Sequence, residues 1–398
     1  MKTPIAYLNE NDGSGLFAFG EGPRFVLNSH DDLGKMQAFI DAHKGRYLFT
    51  TLSYDLKSII QELPSDNKND QEFPLATIWA PESVVSIKNE TPKEFLFGSS
   101  SIEKIKFIDS FFVNKSNHST LNANFQARLS KETYLHNIMA LKHEIQMGSI
   151  YEVNFCQEFY AENVQIKHPA EVYFKLNEIT QAPFSCYISM PEFEIFCGSP
   201  ERYIKKQSNR LISQPIKGTS KRGKTKQEDD ALRNILLNDP KERAENVMIV
   251  DLVRNDLSRI ANENSVTVDE LFGIYTFETV HQMISTISCE IDASLTFTDI
   301  LKATFPMGSM TGAPKHSAMQ LIEKHENFQR GLYSGSIGYI APNGDFDLNV
   351  VIRSLIYNTT KKYLSCPVGG AITIQSDPES EFEECKTKVQ SILQGMNA

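Results

Sequence analysis

The sequence predicts a mixed fold of antiparallel strands flanked by a few well-marked helices. Three observations predict it. Short apolar runs near 184–188, 195–197 and 210–213 follow one another across turns, without the crossover helices that parallel strands require. Helix-start chemistry recurs at Ser130, at Asp239-Pro240 and at Asp377-Pro378, where a capping side chain precedes an apolar repeat or a proline suited to the first turn. Asn343-Gly344 stands between the strand-like runs 335–340 and 346–356, as in a hairpin turn.

In chain order, residues 1–120 give the weakest pattern. Runs at 24–27 and 47–52 read as strands, and 31–43 as a short helix with Leu33, Met36, Phe39 and Ile40 on one face. Residues 114–124, rich in Asn and Ser, read as a surface connection, which divides the chain into an N-terminal part, 1–120, and a second region, 121–398. Tyr134, Ile138, Leu141 and Ile145 repeat at helical spacing between Ser130 and Gly148. Residues 150–159 alternate apolar and polar, as a half-buried strand does. A helix opens at Asp239-Pro240 and runs through Leu257. Further strands are expected at 363–365 and 368–374, and a last helix follows Asp377-Pro378.

Composition narrows the function. With 398 residues, 40% of them hydrophobic, the chain has length for a large core. A net charge of -10 argues against non-specific binding to nucleic acid or membranes. Six scattered cysteines form no C-x-x-C pair, which gives no support to a zinc ribbon or a redox motif. No signal-like or membrane-length apolar run is present, so a cytoplasmic protein is expected.

Chemistry concentrates in three places. In Gln214-Pro215-Ile216-Lys217-Gly218-Thr219, Pro215 should end the preceding strand and Gly218 permits a turn, which leaves Lys217 on a stiff strand end beside Ile216. Desolvation there would disfavour the ammonium and free a nucleophilic amine. The alternative is a solvated lysine opening the basic loop of Lys221, Arg222, Lys224 and Lys226. Second, the helices at Asp239-Pro240 and Asp377-Pro378 each present a Glu-x-x-Glu pair, Glu242 with Glu245 and Glu381 with Glu384. The helix dipole alone favours carboxylates there. If the two starts share a cleft, four carboxylates need a cation, and an all-oxygen set suits Mg²⁺. Third, residues 305–315 are glycine-rich and lead into a helix at 316–325. They do not match G-x-x-x-x-G-K-[ST], but such a helix start can cradle an anion; a tight loop is the alternative.

These motifs, in this order, resemble the chorismate-utilising enzymes, the family of anthranilate, aminodeoxychorismate, isochorismate and salicylate synthases. The resemblance rests on Gly198-Ser199-Pro200-Glu201-Arg202, on 215–219, on Arg243-Ala244-Glu245-Asn246 with 251–257, and on 305–315. It extends through Arg330-Gly331-Leu332-Tyr333-Ser334-Gly335, Ile352-Arg353-Ser354 and 377–388. It is dense from about residue 130 to 394 and thin before that. It implies an α+β, two-lobed fold with two facing antiparallel sheets flanked by helices. It implies Mg²⁺ held by Glu245 and Glu384 with Glu242 and Glu381 in support, one chorismate carboxylate bound by Arg353 and Tyr333 with backbone near Gly369 and Gly370, and Thr219 and Ser309 lining the pocket.

The lysine at 217 is similar to that of aminodeoxychorismate synthases, where anthranilate synthases carry alanine. The implied reaction is covalent: Lys217 adds to the ring and displaces the C4 hydroxyl, then ammonia adds at C4 and expels the lysine, giving 4-amino-4-deoxychorismate on the route to p-aminobenzoate and folate. The isochorismate and salicylate branches use a lysine base in the strand where this chain has Glu152, and are disfavoured. Many relatives carry a histidine where Val280-His281-Gln282-Met283-Ile284-Ser285 puts Gln282; a one-residue shift would restore His281. In anthranilate synthases that histidine is tied to pyruvate elimination, which a glutamine cannot assist as acid or base. No glutaminase stretch with a cysteine nucleophile is recognised, so ammonia is expected from a separate glutamine amidotransferase subunit. Two rivals stand beside this reading: anthranilate synthase component I, and a non-catalytic chorismate-binding regulatory protein.

Overall fold

Alternation along the strands builds three apolar cores. Cys186 and Ile188 face one side of their strand while Tyr187 faces the other, and Ile195 and Cys197 oppose Phe196 in the same way on the next strand. The aromatic side packs under helices; the side of small and branched residues meets a second sheet, which brings Phe49, Trp79 and Ile337 to the shared core. The result is two facing antiparallel sheets with helices on both outer faces. The computed structural model describes residues 2–28, 32–113, 115, 121 and 123–397.

The first sheet has 11 strands among the described residues. It runs from Gly312–Ala313 through Glu152–Ala161, Tyr363–Ile372, Ser354–Asn358, Phe193–Ser199 and Phe184–Ser189 to N-terminal strands. The second has 10, starting at Ile216–Lys221 and Val280–Glu290 and passing through Arg210–Gln214 and Arg202–Gln207 to Leu48–Leu52, Ala76–Trp79 and Arg24–Leu27. Strands from before residue 120 thus enter both sheets. Helices Lys131–Gln146, Pro169–Thr180 and Pro378–Asn397 cover the first sheet; Leu33–Ala42, Pro240–Ser258 and Phe297–Thr304 cover the second. Among the described residues no helix is long and apolar enough to cross a membrane.

The cap chemistry is observed directly. Ser130 accepts from the Thr133 N–H, Asp239 from those of Lys241 and Glu242, and Asp377 from that of Ser380. Asp32 caps Leu33–Ala42, the described part of the helix expected over 31–43; Asp31 and most of 114–124 lie outside the described residues.

Three local expectations are corrected. Pro215 interrupts the strand but does not end the ladder: Arg210–Gln214 and Ile216–Lys221 both pair with Val280–Glu290. The basic stretch after it is a loop, as expected, running from Lys221 at the strand end to Lys226, where the helix Lys226–Asn238, capped by Thr225, begins. The expected strand 346–356 breaks between Asn349 and Ser354, where Arg353 takes φ 52°. The strands expected at 363–365 and 368–374 are one strand, Tyr363–Ile372, with Pro367 inside it; the ladder to Ser354–Asn358 stops at Ser365, before the proline.

Candidate active site

A charged contact links the margins of the two sheets. Lys217 lies on the outermost strand of the second sheet, and Glu152 begins the strand next to Gly312–Ala313 at the margin of the first. Lys217 Nζ donates to Glu152 Oε1 at 2.7 Å, with the side chains only 10% and 2% exposed. Gly218, at φ 92°, sits where the register shifts between Ile216 and Thr219. A Cβ there would come within 3.1 Å of Glu242 Oε2, so the glycine lets that carboxylate approach the strand.

Beside this pair opens a cavity of about 680 Å³. Lys217, Thr219, Ser309, Tyr333, Arg353, Gly369 and Gly370 all line it, as do Glu242, Glu245, Glu381 and Glu384. Residues 65 to 167 positions from Lys217 are thereby gathered around it: Glu152, Glu384 and the turn at Arg353 come from separate elements.

Lys217 is not a freed amine in this state. Burial pulls its pKa down, but the charges of Glu152, Glu245 and Glu201 and the hydrogen bond to Glu152 outweigh it, and the net shift is upward. The expectation that desolvation frees the amine fails here because three carboxylates surround it. Glu201 was the residue missed. It is 3% exposed, and burial pushes its carboxyl up to about 7, against the opposing effects of the Ser309 hydroxyl, Lys217, the Ile216 N–H and Arg353. A charged residue placed between the apolar runs 195–197 and 203–204 was the available signal.

Arg353 is half-buried on the cavity wall; burial lowers its pKa and Glu201 acts against that. A partly desolvated guanidinium fork with room before it suits a planar carboxylate. Tyr333 is buried nearby, its pKa raised by desolvation. Gly369 leaves space that a Cβ would take at 2.6 Å from Cys156 Sγ, and its carbonyl accepts from Lys388 Nζ at 2.8 Å. At Gly370 a Cβ would lie 3.2 Å from Glu381 Oε2.

The four helix-start carboxylates form an acidic wall. Burial raises the pKa of Glu242, Glu245 and Glu381, Glu245 to about 7. Glu242 and Glu384, from different helices, feel each other's charge. Glu384 alone is held low, by Lys388 at 2.7 Å, and Lys241 stands 3.8 Å from Glu245. Among the described residues no three such groups are drawn together as a ready-made metal cage. Three carboxylates raised by burial and a fourth held by Lys388, with Lys217 and Lys241 giving partial relief, are nonetheless a donor set that fits a hard divalent cation with open coordination positions.

Strand alternation decides between His281 and Gln282. Gln282 lines the cavity, 1% exposed, with its Oε1 unpartnered. His281 faces away, its Nε2 2.9 Å from Asp229 Oδ1 and its Nδ1 2.9 Å from Thr276 Oγ1. The glycine-rich stretch contributes through Ser309 and Met310. Before its helix, Gly312–Ala313 pairs with the Glu152 strand, and Lys315 turns inward to Asp256 Oδ2 at 2.6 Å and the carbonyls of Thr304 and Pro306.

Comparison with known proteins gives the family. A family model described as chorismate binding enzyme matches residues 8–394. The chain is 33% identical over 341 residues to aminodeoxychorismate synthase component 1 of Klebsiella aerogenes, covering 85% of this chain and 75% of that protein. It is 37% identical over 260 residues to aminodeoxychorismate synthase component 1 of Bacillus subtilis, covering 65% of this chain and 54% of that one. The structure of anthranilate synthase component I from Streptococcus pneumoniae superposes with a TM-score of 0.78 at 24% identity, covering 98% of this chain and 90% of that one, a likeness of fold. By its sequence, the chain belongs to the chorismate binding enzyme family.

Proposed function

We propose that this protein aminates chorismate to 4-amino-4-deoxychorismate with ammonia from a separate glutamine amidotransferase, on the route to p-aminobenzoate and folate. The observation that carries the reading is Lys217, buried against carboxylates on the wall of a cavity that also holds Arg353.

In this reading Arg353 and Tyr333 bind one chorismate carboxylate, helped by backbone at Gly369 and Gly370, while Thr219 and Ser309 bound the ring. Glu245 and Glu384, supported by Glu242 and Glu381, would hold Mg²⁺, which supplies charge neutralisation for the other carboxylate. Lys217 Nζ forms a bond to the ring as the C4–O bond breaks. Glu201, with a pKa near 7, has a proton to give the departing hydroxyl, which leaves as water. Ammonia then bonds to C4 as the bond to Lys217 breaks, and the new ammonium returns a proton to Glu201.

Anthranilate synthesis is the nearest rival. The cavity side chain at 282 is an amide, which cannot act as acid or base near neutral pH, and this favours stopping at the amino intermediate. Incubation with chorismate, Mg²⁺ and an ammonium salt tests the choice. Accumulation of 4-amino-4-deoxychorismate is expected; direct appearance of fluorescent anthranilate would overturn it. Tight chorismate binding without turnover, even with an amidotransferase present, would favour a regulatory protein.

A further inference from the structure

For Lys217 to attack, its ammonium must first lose a proton, and the buried surroundings limit where that proton can go. The carboxylates that act on Lys217 are Glu152, Glu201, Glu242, Glu245 and Glu384. Only Glu152 is within hydrogen-bond reach of its Nζ, at 2.7 Å. Glu152 is 1% exposed, and its second oxygen, Oε2, is buried without a partner. The carboxylate spends one oxygen on the lysine and leaves the other unsatisfied, so the Lys217 ammonium is its one close proton source and it is the one base that Nζ touches. Glu201, Glu242, Glu245 and Glu384 line the cavity without a hydrogen bond to Nζ.

We infer that Glu152 is the proton acceptor that converts the Lys217 ammonium into the attacking amine. This rests on the amination reading above. The proton moves from Lys217 Nζ to Glu152 Oε1 as the Nζ lone pair bonds to the ring carbon and the C4–O bond breaks. When ammonia expels the lysine, the same proton returns from Glu152 to Nζ. No oxidant or further reactant is needed, and the pair begins the next cycle as the ion pair seen in the structure. Local transfer also explains how a lysine held as an ammonium at rest can serve as a nucleophile near neutral pH.

The test follows the lysine adduct itself. Wild-type protein, Glu152→Gln and Glu152→Asp are mixed with chorismate and Mg²⁺ without ammonia, and adduct growth is timed by intact mass between pH 6.5 and 9.5. Glutamine keeps the shape and one acceptor oxygen but is no base. In Glu152→Gln, adduct formation should fall about 100-fold at pH 7.5, the size of a lost general base. Its rate should then climb toward tenfold per pH unit, with chorismate binding unchanged. Glu152→Asp should keep the wild-type pH profile at a reduced rate. A Glu152→Gln protein with the wild-type rate and profile overturns the inference and leaves Glu152 as a positioning residue. Should Glu152→Gln fail to fold, an Asp variant whose rate climbs with pH as a base-free site would also overturn it. Failure of the wild type to form 4-amino-4-deoxychorismate is a separate result: it removes the amination reading, and this inference with it.

Discussion

Replacing Glu326 with glutamine should cost far more stability than its position outside the cavity suggests. Glu326 and Arg330 lie four residues apart just past the helix Lys315–His325, with side chains 2% and 1% exposed. They form a forked pair, Nε to Oε2 at 2.9 Å and Nη2 to Oε1 at 2.6 Å. The guanidinium also donates to the carbonyls of Met310 and Asn154, each at 2.8 Å, and lies 4.4 Å from the Tyr54 ring centre. Glu326 accepts in addition from the Cys156 N–H. Glu326→Gln preserves volume but strands a guanidinium charge away from water, a change of about 3–5 kcal/mol. At 1.4 kcal/mol per tenfold, the folded-to-unfolded ratio should drop roughly 10²–10³-fold or more. Guanidinium chloride titration at pH 7.5 reads this directly. Because Met310 and Asn154 also line the cavity, chorismate binding should weaken even where the variant is folded. A stability change under about 1 kcal/mol with unaltered chorismate binding would refute the reasoning.

Three further outcomes are expected. Chelation should abolish amination and Mg²⁺ restore it, and Glu245→Gln should raise the Mg²⁺ concentration for half-maximal rate at least tenfold; activity indifferent to chelator would contradict the acidic wall's role. Glu201, raised by burial to about 7 from an ordinary 4.5, binds its proton more tightly folded than unfolded. Its contribution therefore erodes stability as pH rises from 4.5 to 7, by about 3 kcal/mol in all, and Glu201→Gln should flatten the melting profile over that window while slowing turnover about 10²-fold. Gln282→His should put a titratable ring on the cavity wall and yield measurable anthranilate by fluorescence; none at any pH would leave position 282 without a part in product choice.

Much of the fold was legible because its signals are local. Ser130, Asp239 and Asp377 cap helices through N–H groups two or three residues away, and the alternation around Tyr187 and Phe196 is a property of single strands. The helix Lys226–Asn238 was not legible, since Leu236 is its only buried residue and it shows little apolar face. The strand Thr267–Thr276 was missed for a similar reason, lying mostly exposed against Val280–Glu290. At the site, residue types could be read but charge states could not. The proton on Lys217 depends on Glu152, 65 residues earlier and on the other sheet. Likewise, whether His281 or Gln282 enters the cavity turns on strand register, which a one-residue shift would reverse.

The central claim is that Lys217 itself forms a bond to the substrate ring, and the most direct measurement is the rate of 4-amino-4-deoxychorismate formation by Lys217→Ala with saturating ammonium. Loss of about 10³-fold or more, with chorismate still bound, is the predicted result. An alanine protein that aminates chorismate at the wild-type rate would contradict it.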